Sequence, residues 1–192
     1  LLRVSRIMGW YTKQLSNRNY LSPGGFKFLL DRSPKTSFLC KTAVIPEISI
    51  GVIERSTPFV SVPSEGNIQY GTFSIEFLVD ENLENYLEIH NWIRGMGIPE
   101  DFDERKEFND KYTISRLTSN FEIVTTDATL EVLNNNLNPA FDIVFKNLFP
   151  ISLGSLPFDV SIGDVEPLTA TCTFRYLAYE IRSTNKGTRI KS

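Results

Sequence analysis

The sequence predicts an α+β domain that is mainly β, namely an antiparallel β-sandwich or half-barrel with one flanking helix at about residues 81–95. Several short runs alternate apolar and polar residues, which is typical of half-buried strands. Clusters of Asn, Gly, Pro and Asp separate these runs, as turns between strands do. One stretch only, residues 80–99, combines helical apolar spacing with an acidic start and an end rich in Gly and Pro. About eight strands and one helix follow from this pattern.

Bulk composition allows a complete hydrophobic core. The 192 residues are 41% hydrophobic and 22% charged, ordinary values for one large domain or two small ones. A net charge of −3 disfavours a general nucleic-acid binder, which usually has a basic face. We find no apolar run long enough to span a bilayer and no signal-peptide core at the N-terminus. Both cysteines, Cys40 and Cys172, lie in strand-like runs and are expected to be reduced core residues.

The strand pattern surrounds the helix on both sides. Residues 26–30 and 38–44 predict two strands, and a hairpin is their simplest pairing. Residues 73–79 show the clearest alternation, and they lead directly into the helix. Four further strand-like runs follow it, at residues 121–124, 127–132, 141–145 and 156–162. The last strand, from residue 168 onward, is long, and its second face becomes apolar at Leu177, Tyr179 and Ile181. An apolar second face indicates another cover or a partner.

The predicted helix has two apolar faces. Asp80 is its predicted N-cap, because a side-chain oxygen there accepts from the first free amides. One face carries Leu83, Tyr86, Leu87 and His90, and the other carries Ile89, Trp92, Ile93 and Met96. Two interpretations stay open. The helix is either buried inside a single domain, or packed on the core with one face and on something else with the other.

Four segments lie outside the regular pattern. Residues 1–20 form a basic N-terminal arm with Trp10 and Tyr11, either a frayed terminus or an arm that docks on a neighbour. Residues 53–68 contain prolines together with Phe59 and Val60, which indicates a long loop or a projecting hairpin. Residues 100–120 are a charged surface insertion with a short helix around 104–109. Residues 183–192 form a flexible basic tail. The β domain itself covers residues 21–182.

The sequence offers no catalytic or metal site, and we expect a protein that is not an enzyme and binds no cofactor. Its one histidine, His90, falls in the middle of the helix, and with two cysteines it cannot supply a zinc site alone. The acidic residues Asp101, Asp103 and Glu104 lack the spacing of a calcium loop and are expected to be solvated. Neither a P-loop nor a dinucleotide-binding glycine motif occurs.

The order of these segments resembles the tail tube proteins of contractile-tailed bacteriophages of the T4-like and cyanophage kind. The resemblance runs through FLCKTAVIPEISIG, a long loop, NIQYGTFSIEFLVDENLENYLEIHNWI, and the stretch from TLEVLNNNLNPAFDIVFKNLFP to TATCTFRYLAYEI. Within it, FKNLFP is similar to the knaWP turn of that family, and the closing strand is similar to the family's final strand. It covers roughly residues 21–182.

The resemblance implies a β-sandwich or half-open barrel whose copies form a hexameric ring. Stacked rings would form a tube that serves as the channel for DNA ejection, with the tail sheath, the baseplate and a terminator as partners. DNA would pass without specific binding, and outward-facing acidic residues such as Glu76 and Glu131 would line the lumen or the outer wall. The protein would belong to the virion tail and assemble in the host cytoplasm, with no membrane insertion and no cofactor.

Two alternatives remain: a baseplate tube initiator or tail terminator ring of the same fold, and a monomeric β-sandwich that binds, for instance, carbohydrate. Surplus apolar surface favours assembly, because an isolated globule would leave it exposed. The candidate subunit-interface residues are Phe59, Val60, Ile89, Trp92, Ile93, Met96, Leu177, Tyr179, Ile181, Trp10 and Tyr11.

Overall fold

Ten strands and three helices make up the part of the chain that the computed structural model describes, residues 19–21, 23–97, 102–112, 124–158, 167–183 and 188–189. The strands are β1 (Phe26–Leu30), β2 (Cys40–Val44), β3 (Ile48–Ser56), β4 (Ser61–Tyr70), β5 (Phe73–Leu78), β6 (Thr126–Leu133), β7 (Pro139–Leu153), β8 (Thr169–Arg175), β9 (Ala178–Ser183) and β10 (Thr188–Arg189). The helices are α1 (Pro34–Phe38), α2 (Glu84–Met96) and α3 (Phe102–Tyr112).

The long strand β7 joins two parts of one curled antiparallel sheet. The strand order is β1-β6-β7-β8-β5-β2, and β9 also pairs with β7 and carries β10 on its other side. Residues 141–146 of β7 pair with β9, whereas residues 149–153 pair with β8. Because the same strand changes partner along its length, the sheet bends into an open half-barrel. The predicted fold class is therefore confirmed as mainly β with antiparallel sheets and a flanking helix.

The core lies on the concave side of this sheet, under helix α2. The strands present their apolar rows inward as the alternation predicts, and Phe73 stacks on Phe145 with 4.3 Å between ring centroids. Helix α2 closes the open side with Ile89 and Trp92. The buried hydrophobic residues of the strands are Phe28, Leu30, Phe73, Ile75, Phe77, Ala128, Leu130, Val132, Leu133, Ile143, Phe145, Leu148, Ala170, Cys172 and Phe174.

Asn85, rather than Asp80, organises the start of helix α2. The helix begins at Glu84, after Leu83 in a left-handed conformation, so the predicted start at about residue 81 and the Asp80 cap are wrong. The buried Asn85 amide donates to the Leu78 carbonyl at 2.7 Å, and its Oδ1 accepts from the Asp80 amide at 3.2 Å. A side chain inside the first turn therefore ties β5 to the helix, which a search for a preceding cap overlooks.

We predict that Asn85→Ala lowers the free energy of unfolding by about 1–3 kcal/mol, because it leaves buried backbone groups without partners. Urea unfolding followed by circular dichroism measures this change. Asn91→Ala is the matched control, since Asn91 is exposed on the same helix. Equal effects of the two substitutions would contradict the role assigned to Asn85.

The short helix α1 replaces the predicted hairpin between the first two strands. β1 pairs with β6, and β2 pairs with β5, so these two strands are not partners. Pro34 opens α1, where its missing N–H is not needed. The Ser33 hydroxyl donates to the Glu88 carboxylate at 2.6 Å, and it lies 2.8 Å from the buried Thr36 hydroxyl. These contacts dock α1 on α2 and separate β1 from β2.

Three other predictions need correction. Residues 154–158 form no strand, and residues 159–162 of that predicted strand lie outside the described residues. The predicted long last strand is two strands, β8 and β9, because the extended backbone is interrupted at Tyr176 and Leu177. The two strands pair with different parts of β7. The charged insertion contains a second long helix, α3, so the domain has more than one helix. Most of the N-terminal arm and most of the basic tail lie outside the described residues.

Candidate assembly surface

Strands β3 and β4 form a hairpin that pairs only with itself in the described structure. It continues the β2–β5 pair, because Val44 lies opposite Ser74 and Ile48 lies opposite Tyr70 in one shared register. Residues 45–47 and 71–72 interrupt the ladder between the two parts. The region 53–68, predicted as a loop or a projecting hairpin, is thus the distal part of a paired hairpin rather than a loop.

One face of this hairpin is apolar and exposed. Along β3 it carries Ile48, Ile50 and Val52, and Ile68 lies opposite Ile50 on β4. All four side chains are more than half exposed. An isolated two-stranded hairpin is at best marginally stable in water. The hairpin therefore needs a cover that the described residues of this chain do not supply.

The tip of the hairpin adds the most exposed apolar side chain of the region. The Thr57 amide donates to the Val60 carbonyl at 3.2 Å and closes the turn. This turn holds Phe59, which is 96% exposed, and Val60 at the end of the two strands. Both candidate residues thus lie together at the point farthest along the hairpin from the sheet.

A β-bulge bends the hairpin in its middle. The register shifts between Ile50 and Val52, so Gly66 and Asn67 both lie opposite Gly51. A Cβ atom on Gly66 would lie 2.8 Å from the Gly51 carbonyl oxygen, whereas one on Gly51 would meet nothing closer than 3.7 Å. Only Gly66 is required by close backbone approach. The bulge therefore depends on a single glycine.

We predict that Gly66→Ala loosens the hairpin, because the added methyl group forces the two backbones apart. A local cost of one to two kcal/mol would speed amide hydrogen exchange in β3 and β4 about 5- to 30-fold. Gly51→Ala is the matched control and should change exchange much less. Slower or unchanged exchange in Gly66→Ala would contradict the requirement for glycine at position 66.

A cluster of three tyrosines links the base of the hairpin to the sheet. The Tyr70 ring lies 5.6 Å from the Tyr179 ring and 6.0 Å from the Tyr176 ring. Burial is the largest cause that raises the pKa of Tyr176, to about 12. Next to Tyr179 on the same face of β9, Ile181 is 38% exposed. The apolar surface of the hairpin thus continues onto the inward-facing side chains of β9, where Ile181 is not fully covered.

The outer face of β1, β6, β7 and β9 is charged and self-neutralised. One cross-strand row places Lys27 beside Glu131 and Asp142 beside Arg182. Glu180 contacts both Lys146 at 2.9 Å and Arg182 at 3.1 Å. These contacts lower the pKa of Glu180, with the Lys146 hydrogen bond as the largest cause. Each of the three cations on this face has a carboxylate within 4.0 Å.

The predicted interface residues fall into four groups. The prediction of Ile89 and Trp92 as interface residues was wrong, because both side chains are buried in the core of the domain. Their neighbours Ile93 and Met96 are partly buried and pack against the same core. Leu177 and Ile181 are exposed, Tyr179 is partly buried, and Phe59 and Val60 lie at the hairpin tip. Trp10 and Tyr11 lie outside the described residues.

Sequence reasoning missed Ile48, Ile50, Val52 and Ile68 as surface residues. Their alternation was visible, but alternation predicts a buried face whenever a sheet is available to cover it. Pro46 before them and Gly66 beside them were the signals of a segment that leaves the sheet.

The described residues contain no group of three or more His, Cys, Asp or Glu side chains arranged for a metal ion. Within the same part of the chain, no helix is both long and apolar enough to cross a membrane. Cys40 and Cys172 are free thiols, as predicted, and burial raises the pKa of Cys40 to about 12 and that of Cys172 further. Thiolate chemistry is therefore disfavoured at both positions.

Solved structures with a similar fold come from contractile injection systems. A chain of the anti-feeding prophage baseplate aligns with a TM-score of 0.58 at 12% identity, covering 86% of this chain and 97% of that one. A chain of the anti-feeding prophage tube-terminating cap gives 0.57 at 14% identity, covering 92% and 100%. One from the PVC sheath–tube complex gives 0.55 at 15% identity, covering 87% and 94%. At these identities the likeness shows the fold alone.

The amino-acid sequence, unlike the fold, identifies the family of this chain. No curated protein matches this chain. The family model described as phage tail tube protein matches residues 10–182, nearly the whole chain and almost all of the described structure. Members of this family are structural proteins of the tube rather than enzymes, in agreement with the prediction from the sequence. The chain therefore belongs to the phage tail tube protein family.

Proposed function

We propose that this protein is a ring-forming subunit of a bacteriophage tail tube, and that six copies close into each ring. Stacked rings form the channel through which DNA is ejected. The tail sheath surrounds this tube, and the baseplate and a terminator bound its two ends. The mature protein is located in the virion tail after assembly in the host cytoplasm.

The single observation that carries this proposal is the uncovered apolar face of the β3–β4 hairpin. It runs from the tyrosine cluster at Tyr70 to Phe59 at the tip, and it contains the exposed side chains of Ile48, Ile50 and Val52. Contiguous apolar surface on this scale marks an interaction site. Stable assemblies bury such surface at an apolar interface centre.

The neutralised outer face supports passage of DNA without binding. Cationic side chains that neutralise phosphates produce tight, salt-sensitive attachment. On this face, Lys27, Lys146 and Arg182 are each close to a carboxylate of the same sheet. A channel wall of this kind offers few free cations to a sliding duplex.

A tube initiator or terminator is the second candidate function. Chains of the anti-feeding prophage baseplate and tube-terminating cap align with TM-scores of 0.58 and 0.57, beside 0.55 for the sheath–tube chain, so the same fold suits these positions as well as the tube itself. Proteins at these positions would form rings that stop after one or two layers, whereas the repeating subunit would form long tubes.

The test is the assembly state of the purified chain. We expect sixfold rings or tubes in negative-stain electron microscopy and a matching rise in mass by analytical ultracentrifugation. Rings limited to one or two layers would assign the initiator or terminator function. A strictly monomeric protein, at high concentration and under conditions that polymerise tail tubes, would overturn the proposal in favour of a monomeric binding module.

A further inference from the structure

Strand β3 begins with a segment of the kind that aggregates when it is exposed. Residues 48–53, with the sequence ISIGVI, contain no charge, no proline and a single glycine, and most of them are β-branched. More than half of each large apolar side chain in the segment is exposed, namely those of Ile48, Ile50, Val52 and Ile53. Segments of this composition form the stacked sheets of fibrous aggregates, and an exposed one on a strand edge is a hazard.

The backbone of β3 has an open edge along this segment. At the two ends of the strand, the Glu47 carbonyl accepts from the Gly71 amide, and the Thr57 amide donates to the Val60 carbonyl. The odd-numbered residues between these points therefore direct their backbone groups toward β4. The even-numbered residues direct theirs away from β4, where no described strand pairs with them.

The outward edge of β4, in contrast, is interrupted by a proline. Val62 and Ser64 lie opposite odd-numbered residues of β3 and face that strand, so Pro63 between them faces outward. Proline has no N–H to donate, and inside a sheet it is confined to such positions. The hairpin itself loses no hydrogen bond to Pro63, but a strand added at this edge would lose one.

A β-bulge interrupts the same edge three residues later, where Gly66 and Asn67 both lie opposite Gly51. The extra residue moves the next outward position to Ile68, so the regular spacing of outward groups is lost. Between Ser61 and Ile68, no two successive outward positions of β4 offer N–H groups at regular spacing. Prolines and bulges are devices by which natural sheets prevent pairing from edge to edge.

One interrupted edge is enough to limit pairing between hairpins. A hairpin with two open edges pairs with a copy on each side, and each of these copies offers its far edge to another. Because this contact joins two different edges, it repeats without closing and produces an open-ended filament. A hairpin with one open edge pairs with at most one other copy, so growth stops at two.

We propose that Pro63 and the bulge at Gly66 and Asn67 protect the free chain against the growth of hairpin ribbons. A hairpin ribbon is a sheet in which β3 of one copy pairs with β4 of the next without end. The protection acts on the free chain and does not depend on the ring or the tube proposed above. It accounts for the presence of two interruptions on the strand that lies beside an aggregation-prone one.

The first test restores the missing N–H. Pro63→Thr supplies an outward amide and a residue that strands favour. Ser64→Thr is the matched control, because it also adds a β-branched residue, keeps the hydroxyl that donates to the Ile53 carbonyl, and directs its backbone groups toward β3. Ribbons are scored by thioflavin fluorescence, and electron microscopy distinguishes them from tubes.

We expect Pro63→Thr to form ribbons at a protein concentration at least about fivefold lower than Ser64→Thr or the native chain, since each added copy gains a backbone hydrogen bond. Equal ribbon formation by Pro63→Thr and Ser64→Thr would overturn the proposal. Deletion of Gly66 in the Pro63→Thr variant should lower that concentration further, because it removes the bulge. An unchanged concentration after the deletion would exclude the bulge from the device.

A second proline distinguishes ribbon growth from aggregation of an unfolded chain. Val52→Pro removes an outward N–H of β3 and leaves the bonds to β4 in place. Added to Pro63→Thr, it should return ribbon formation to the native level, since each hairpin again has only one open edge. An added proline would not rescue a chain that aggregates because it is unfolded. Ribbons that persist in this double variant would overturn the proposal.

Amide hydrogen exchange locates the pairing within the ribbons. In ribbons of Pro63→Thr, the amides of Ser61, Glu65 and position 63 should exchange at least about tenfold more slowly than in the soluble variant, since each gains a hydrogen bond. Unchanged exchange at these three positions would overturn the assignment of β4 as the edge that the proline protects.

Discussion

The Trp92→Ala variant should lose about 3–5 kcal/mol of its free energy of unfolding, the usual cost of deleting a large buried aromatic side chain. Trp92 is 3% exposed and packs near Phe174. Its indole N–H donates to the Val124 carbonyl at 2.9 Å, and the Arg32 guanidinium lies 4.8 Å from the ring centroid. Alanine removes all of these contacts and leaves a cavity between α2 and the sheet. Calorimetry should show the melting temperature about 6–20 °C lower.

Leu87→Ala is the control for this substitution. Leu87 lies on the same helix but is 45% exposed, so its truncation should cost well under half as much. A melting temperature of Trp92→Ala equal to that of the native chain would mean that α2 does not close the core. Equal losses from both variants would mean that the burial of the two helix faces has been assigned incorrectly.

The Phe59→Asp variant should fold normally and fail to assemble. Phe59 is 96% exposed, so the folded subunit gains nothing from it, and its stability should change by less than about 0.5 kcal/mol. In an assembly, an aromatic residue at the tip of an apolar hairpin is a natural hot spot, worth about 2 kcal/mol or more. We expect the protein concentration needed for assembly to rise at least about 30-fold, as measured by sedimentation.

Leu137→Asp serves as the matched control. Leu137 is 69% exposed in the turn between β6 and β7, away from the hairpin, and its left-handed backbone suits aspartate better than leucine. It should fold and assemble like the native chain. Tubes of native length and yield from Phe59→Asp would contradict the role of the hairpin tip.

The presence of most strands was predictable from the sequence, because in most of the sheet the alternating apolar residues are also the buried ones. Phe73, Ile75 and Phe77 are buried in the row that their spacing predicts. The same holds for the predicted inward residues Ala128, Leu130 and Val132 of β6 and Ile143 and Phe145 of β7. Strand partners were not predictable in the same way. An apolar row specifies which face of a strand is inward, but not which strand lies beside it. β1 pairs with β6 rather than with β2 because α1 intervenes, held by the small buried side chains Ser33 and Thr36.

The interface was predictable only in part for a related reason. The helix shows two apolar faces in sequence, and periodicity alone cannot say which one the core takes. The structure assigns Ile89 and Trp92 to the core, and Leu87 on the other face stays exposed. The hairpin tip was identified because its prolines excluded an ordinary buried strand around Phe59. Its flanking strands were not, since their exposed apolar face looks in sequence like a core strand.

The pairing of β1 with β6 has a consequence for synthesis on the ribosome. The two strands are separated by about 100 residues, so β1 waits about 5–20 s for its partner to be translated. The β3–β4 hairpin is local, so its two strands meet within microseconds during this interval, but alone the hairpin is only marginally stable. A nascent polypeptide therefore exposes the apolar strands of a partly formed hairpin while its own domain is still incomplete. Neighbouring polypeptides on one messenger RNA would meet through these strands first, which makes translation speed a factor in how much protein folds correctly.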